Sequence, residues 1–307
     1  MNRLFWFCLS TALALSTNPS FADTFGSGAN SFGIDFVTVG NPGNSPDANG
    51  LGAGAVPYSY RIDKCEISEQ MIDKANALGG LGITKDSRGP DYPATSVTWY
   101  EAAKFVNWLD TSSGSLPAYK FDVNGNFQLW QSTDVGFDST NLYRNKLAKY
   151  FLPSVDEWHK AAYYDPNAGV YYTYPTGSNS VPDGIDFPGD PVFDAVFFDG
   201  ATNGGPNVVT NAGLVSPYGT AAQGGNAAEW AETAADWINN LPGESRTFLG
   251  GGWGDGSTLL AAWNSNGEAP SSEAIIRGFR VAGTVPEPST MLLAAVGSVG
   301  WLLRRKR

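Results

Sequence analysis

Cysteine is almost missing from this 307-residue chain, which has only Cys8 and Cys65. Cys8 lies in the first stretch, Met1 to Ala22, where Arg3, an apolar run from Leu4 to Leu15 and a small-x-small end at Ser20-Phe21-Ala22 make the pattern of a secretory signal, with cleavage expected after Ala22. One thiol then remains, so an intramolecular disulfide and zinc sites built on cysteine pairs are excluded. Histidine is scarcer still: His159 alone cannot supply a multi-histidine iron or zinc centre. Positive charge is also sparse, 19 basic against 30 acidic side chains, a formal charge of -11.

Apolar runs of full membrane length are lacking as well. The longest one, Ser289 to Leu303, follows Pro286-Glu287-Pro288 and precedes Arg304-Arg305-Lys306-Arg307. As a helix it rises about 22 Å, short of a hydrocarbon core of roughly 30 Å, which suits a transient or thinned-membrane span with its basic end cytoplasmic. Setting aside both ends removes Arg3, the four terminal cations and Glu287, and deepens the net charge from -11 to -15. Such a surface repels phosphate backbones and anionic head groups, so a nucleic-acid partner is not expected. What remains, residues 23–285, has no composition break that demands a second domain.

Periodicity places a few regular elements in a loop-rich chain. Strands are predicted over Gly33 to Val39 and Tyr58 to Ile62. Ser68 can cap a helix with Met71, Ile72, Ala75 and Leu78 on one face and Gly79 at its end. Thr98 and Glu101 form a capping box before the buried stripe Ala102, Phe105, Val106 and Leu109. Ser154 and Glu157 repeat that logic before Trp158, Ala161 and Ala162, and His159 between them is expected to face solvent. Phe121 to Leu129 reads as a hairpin around Asn124-Gly125; Asp122, Asn124 and Asn126 imitate the start of a calcium loop, but Phe127 stands where that loop requires glycine. Beyond Tyr163, to about Val215, periodicity is lost among aromatic residues, turns and aspartates, and a stretch of that length needs extra fastening by cations or aromatic packing.

Six short motifs follow one another in order: Pro93 to Ala102, Leu152 to Trp158, Tyr218-Gly219, Gly225-Asn226-Ala227-Ala228-Glu229-Trp230, Gly250-Gly251-Gly252-Trp253 and Arg277-Gly278-Phe279-Arg280-Val281-Ala282. The series, preceded by Tyr60-Arg61-Ile62 through Ile67-Ser68, resembles the formylglycine-generating enzyme family, also called the sulfatase-modifying factor domain, from roughly Phe36 to Ala282. The resemblance implies an α+β fold of the C-type-lectin-like kind, with two principal helices, short twisted strands and long ordered loops. In the authentic enzymes it implies a copper-binding cysteine pair shortly after the Gly-Gly-Ser-Trp-like motif. Here those places fall at about Asp255 and Leu260, so copper is not expected, and Cys65 reads as a small buried apolar residue. The related sulfoxide synthases use an iron site built from histidines, which this chain lacks.

The family resemblance also implies structural calcium around Gly-Asn-x-x-Glu-Trp. Gly225, Ala227 and Glu229 are the matching candidate ligands, but the upstream acid or amide position is Ala222. Loop hydrogen bonding by Asn226 and Glu229, with Trp230 as core, stands as the second reading. A second calcium site could draw on Asn203. The tail, residues 286–307, resembles a PEP-CTERM sorting signal, which implies an exosortase-type sorting protease as partner and the surface or extracellular matrix of a Gram-negative-type bacterium as destination. The functional expectation is a surface-sorted, non-catalytic binding or structural protein contacting extracellular polysaccharide or an envelope protein, with Tyr171, Tyr172 and Trp263 able to stack on sugars or simply pack. The alternative is an enzyme of the formylglycine-generating type with unrecognised chemistry.

Overall fold

The computed structural model describes residues 21–184, 194–199 and 204–286. The signal segment up to residue 20, the apolar run 289–303, the basic terminus and Asn203 lie outside them. Among the described residues no helix is long and apolar enough to cross a membrane.

A five-stranded antiparallel sheet runs in the spatial order Phe21–Phe25, Phe32–Val39, Tyr60–Asp63, Ala282–Thr284 and Tyr150–Phe151. Its inner face follows the alternation of Ile34 and Phe36, both fully buried. The first strand begins at Phe21, two residues ahead of the expected cleavage point. Asp23 there accepts hydrogen bonds from Arg61 and Tyr150 at 2.7 and 2.6 Å. The last strand, Ala282–Thr284, inserts between Tyr60–Asp63 and Tyr150–Phe151, so the domain's first and last strands are hydrogen-bonded into one layer. A second sheet has the order Asn266–Glu268, Arg246–Leu249, Ala228–Ala234 and Arg277–Gly278, the last pair parallel.

Three α-helices are present among the described residues: α1 (Glu69–Gly79), α2 (Trp99–Ser112) and α3 (Val155–Tyr163). Both capping boxes form as expected. Thr98 accepts from the Glu101 amide while Glu101 accepts from the Thr98 amide, and Ser154 and Glu157 do the same. The stripe Ala102, Phe105, Val106 and Leu109 is fully buried, each of the larger members contributing about 1.5–3 kcal/mol. α1 ends one residue later than expected: Gly80, not Gly79, takes the left-handed cap at φ 59°. Gly79 is the last helical residue, and its lack of a side chain makes room for the Trp108 ring, which would lie 2.5 Å from a Cβ there.

Two indoles join α2 to the second sheet. Trp99 Nε1 donates to the Ala231 carbonyl at 3.0 Å and Trp230 Nε1 to Val97 at 2.9 Å. Asp110, near the other end of α2, accepts from the amides of Lys149 and Tyr150, which fixes the edge strand of the first sheet. The hairpin of Lys120–Phe121 and Phe127–Gln128 is closed by Asp122, whose Oδ1 takes the amides of Asn124 and Asn126. This carboxylate closes a turn. After α3 come the short hairpin Tyr164–Asp165 with Val170–Tyr171 and then isolated bridges, so the described residues of the stretch without periodicity carry little regular structure.

Candidate functional site

The turn that follows the strand Arg246–Leu249 holds the positions where the copper ligands are expected. Gly250 and Gly251 adopt φ of 88° and 65°, and a Cβ at Gly250 would lie 2.6 Å from the Gln223 carbonyl. Gly252 is equally tight, since its Cβ would meet the Ile276 carbonyl at 2.8 Å. Asp255 closes the turn: its Oδ2 accepts from the Gly252 amide at 2.8 Å, and its carbonyl accepts from the Phe198 amide. Leu260 ends the short 3-10 turn Ser257–Leu260 and is buried beside Tyr174, Phe197 and Ala261. A carboxylate engaged by its own turn and an aliphatic side chain do not fit Cu(I), which needs soft ligands. Cys65 is only partly buried, and burial together with nearby Asp63 pushes its thiol up to about 12, so it is neither thiolate nor nucleophile near neutral pH.

Behind that turn Glu229 is fully buried and forms a two-pronged pair with Arg280, Nε to Oε2 and Nη2 to Oε1, both 2.6 Å. Trp158 Nε1 donates to the same carboxylate at 2.6 Å. The remaining guanidinium hydrogens go to the carbonyls of Asp63, Lys64 and Ala221, so all five donors of Arg280 are satisfied. Asn226 donates to both oxygens of Glu66, and its own Oδ1 accepts from the Asn207 amide. Burial pushes Asp63 and Glu66 up to about 8 each, with Glu229 adding repulsion at Glu66. Glu229 therefore already faces a cation, and a calcium ion on this carboxylate would have to displace Arg280. Gly225 and Ala222 hold left-handed conformations beside it, at φ 85° and 58°.

The three aromatic residues singled out for stacking do come together. Tyr171, Tyr172 and Trp263 line one cavity of about 150 Å³ with Asp47, Asn49 and Asn179. Under it lies the clearest departure from the sequence reading: His159 is fully buried, with Nε2 3.1 Å from Asp47 Oδ2 and its ring 4.7 Å from that of Tyr163. The helical wheel supposes a solvent face for α3, but the loop carrying Asp47 covers it. Burial raises the Asp47 carboxyl, while His159 and the amides of Asn49 and Gly50 outweigh that and hold it below the usual range.

A larger cavity, about 520 Å³, was not foreseen. Its floor is Arg144, held on two sides: Nη1 and Nη2 reach Glu157 at 3.0 and 2.8 Å, and Nε reaches Glu232 at 2.7 Å. Tyr58 and Asn141 complete the wall, donating to Glu157 and Glu232. The only sequence signal here was Glu157 as the closing residue of a capping box, and it showed nothing of this second duty.

The chain matches the model of the sulfatase-modifying factor enzyme 1-like domain over residues 59–285 and a PEP-CTERM protein-sorting motif over residues 284–307. No curated protein matches. Among solved structures it is similar to Treponema denticola variable protein 1, with 19% identity, a TM-score of 0.60, and 86% of this chain and 99% of that one covered. It is similar to CarF at 19% identity and TM-score 0.56, over 82% of this chain and 99% of that one. PvdO from Pseudomonas aeruginosa follows at 15% and 0.53, over 86% and 98%. At such identities these neighbours establish the fold and leave the chemistry to the residues themselves.

Proposed function

Because the chain belongs to the sulfatase-modifying factor enzyme 1-like family, has its C-type-lectin-like fold and ends in a PEP-CTERM motif, we propose that it is an exported, surface-sorted binding protein that keeps the scaffold without the copper oxidase chemistry. The observation that carries this reading is the pair Asp255 and Leu260, one closing its own turn and the other sunk in an apolar cluster, where thiolates are required. No other thiol substitutes, since Cys65 is held protonated.

The sorting motif implies recognition by an exosortase-type system and delivery to the cell envelope of a Gram-negative-type bacterium. In this reading residues 1–22 direct export, the run 289–303 pauses in the inner membrane, and cleavage near Pro286-Glu287-Pro288 releases the domain. The prolines keep that edge free of helix, and the four terminal cations resist translocation. Extracellular polysaccharide or an envelope protein is the partner outside. Calcium is not required to hold the Glu229 loop, because Arg280 supplies the positive charge there.

The test is to incubate the purified protein with a sulfatase-type cysteine peptide, with and without copper, and to weigh the peptide by mass spectrometry. The peptide is expected to keep its thiol. Conversion to the aldehyde above the enzyme-free control would overturn the reading.

A further inference from the structure

Trp237 is a bulky aromatic residue in the left-handed region, at φ 69°, and it is 42% exposed. Such a conformation costs on the order of 1–3 kcal/mol and persists only where its surroundings enforce it. They do so here. The Trp237 amide donates to the Ala234 carbonyl at 2.9 Å, Asp236 accepts from the Ile238 amide at 3.0 Å, and Asn239 accepts from the Ala234 amide at 2.9 Å. Asn239 then donates to Asn141 at 2.9 Å, which locks the turn to the opposite wall. Among the described residues the Trp237 indole stacks on no other ring, and much of it stays open to solvent.

What the indole overlooks is a groove of about 310 Å³, within the roughly 300–1,000 Å³ of small-molecule sites. Its polar lining has open valences: the side chains of Asn240 and Ser139, and one oxygen of Asp156, whose other oxygen takes the Gly54 amide at 2.8 Å. Thr140 and Asn141 also line the 520 Å³ cavity, so the two spaces adjoin, with the half-exposed ring of Tyr58 in the second.

We propose that this groove binds a neutral saccharide, with one sugar ring on the Trp237 face and its hydroxyls on Asn240, Ser139 and Asp156. The inference rests on the binding-protein reading above and names its site. A pyranose presents an apolar C–H face and a rim of hydroxyls, matching an indole face ringed by amide, hydroxyl and carboxylate groups. Neutrality follows from charge. Arg144 is already balanced by two glutamates, and Asp138 and Asp156 together outweigh Lys146, the other cation in the walls, so an acidic polymer would meet net repulsion. Of the groove's lining only Thr233 comes from a strand, and the rest are loop and helix side chains, a surface poorly suited to adding an extended polypeptide as a further strand.

The test uses the full exported protein and two probes, the neutral and the acidic oligosaccharide fractions of the host's extracellular polysaccharide, in calorimetric titrations. Trp237→Gly removes the indole and suits the backbone, so it should weaken binding of the neutral fraction roughly tenfold without lowering the melting temperature. Asn240→Ala should weaken it less, and Trp263→Ala in the smaller aromatic cavity should leave it unchanged. The proposal is overturned if the neutral fraction does not bind, if its binding survives Trp237→Gly or is lost with Trp263→Ala, if the acidic fraction binds better, or if a polypeptide proves to occupy the groove. The peptide assay judges the non-catalytic reading separately, so each can fail without the other.

Discussion

Two arginine networks meet α3 at consecutive residues: Glu157 binds Arg144, and Trp158 donates to Glu229, the partner of Arg280. Successive helical residues point about 100° apart, so the two networks leave the helix in different directions. Arg280 and Glu229 are completely buried, and every guanidinium donor is used. Arg144 is 12% exposed, shares itself between two glutamates and lines the 520 Å³ cavity. The same chemistry thus serves two ends. Sealed, it fastens the loops around Gly225 and Gly250 to the strands of the first sheet; open, it stiffens the wall of a groove.

Breaking the sealed pair should have the largest effect. Glu229→Gln leaves Arg280 buried with half its pairing lost, and removal of one partner of a buried pair costs about 3–5 kcal/mol. Calorimetry should show the melting temperature falling by roughly ten degrees. The matched change in the open network, Glu232→Gln, should cost only about 1–2 kcal/mol, because Glu157 still neutralises Arg144 and the cavity admits water. Equal losses would erase the distinction between the two networks.

Their pH windows should differ in sign. Asp63 and Glu66 keep their protons in the folded chain up to about 8, whereas unfolded carboxyls release them near 4. Folding is therefore favoured at low pH by these two groups, and that advantage is lost as pH rises through about 8. Burial alone would raise Glu157 too, but Arg144 and hydrogen bonds outweigh it and lower it. Its contribution is present above the unfolded carboxyl range and lost as pH falls through the folded value. Glu66→Gln should flatten the decline in melting temperature between pH 5 and pH 8, and parallel curves for variant and parent would refute the assignment. The smallest effect expected is at the Glu229 loop on chelation: Glu229→Ala should leave the difference between melting curves in EDTA and in millimolar calcium unchanged, since the Glu229 carboxylate is matched by Arg280.

How much of this was legible depended on distance along the chain. The capping boxes at Thr98 and Ser154 are written within four residues, and both form. Glu229 and Arg280 are 51 residues apart, so nothing local distinguished an ion pair from a metal ligand. His159 was misplaced for a related reason: periodicity assumes that a helix has a solvent face, and a partner 112 residues upstream, Asp47, closes the one on α3. The strained turn at Trp237 depends on a backbone angle that side-chain identity does not encode. Asp255 and Leu260 needed no partner to be read, because the absence of sulfur is visible in the residues themselves.

The contrast between a sealed and an open network can be tested in one experiment, hydrogen exchange followed by mass spectrometry on the exported protein with and without the neutral oligosaccharide fraction. Added protection should be confined to residues 138–146 and 235–241, with residues 223–229 and 250–263 exchanging as before. Protection centred on 250–263 while the groove stays unchanged would contradict the account, because it would place the working face at the turn of Asp255 and Leu260.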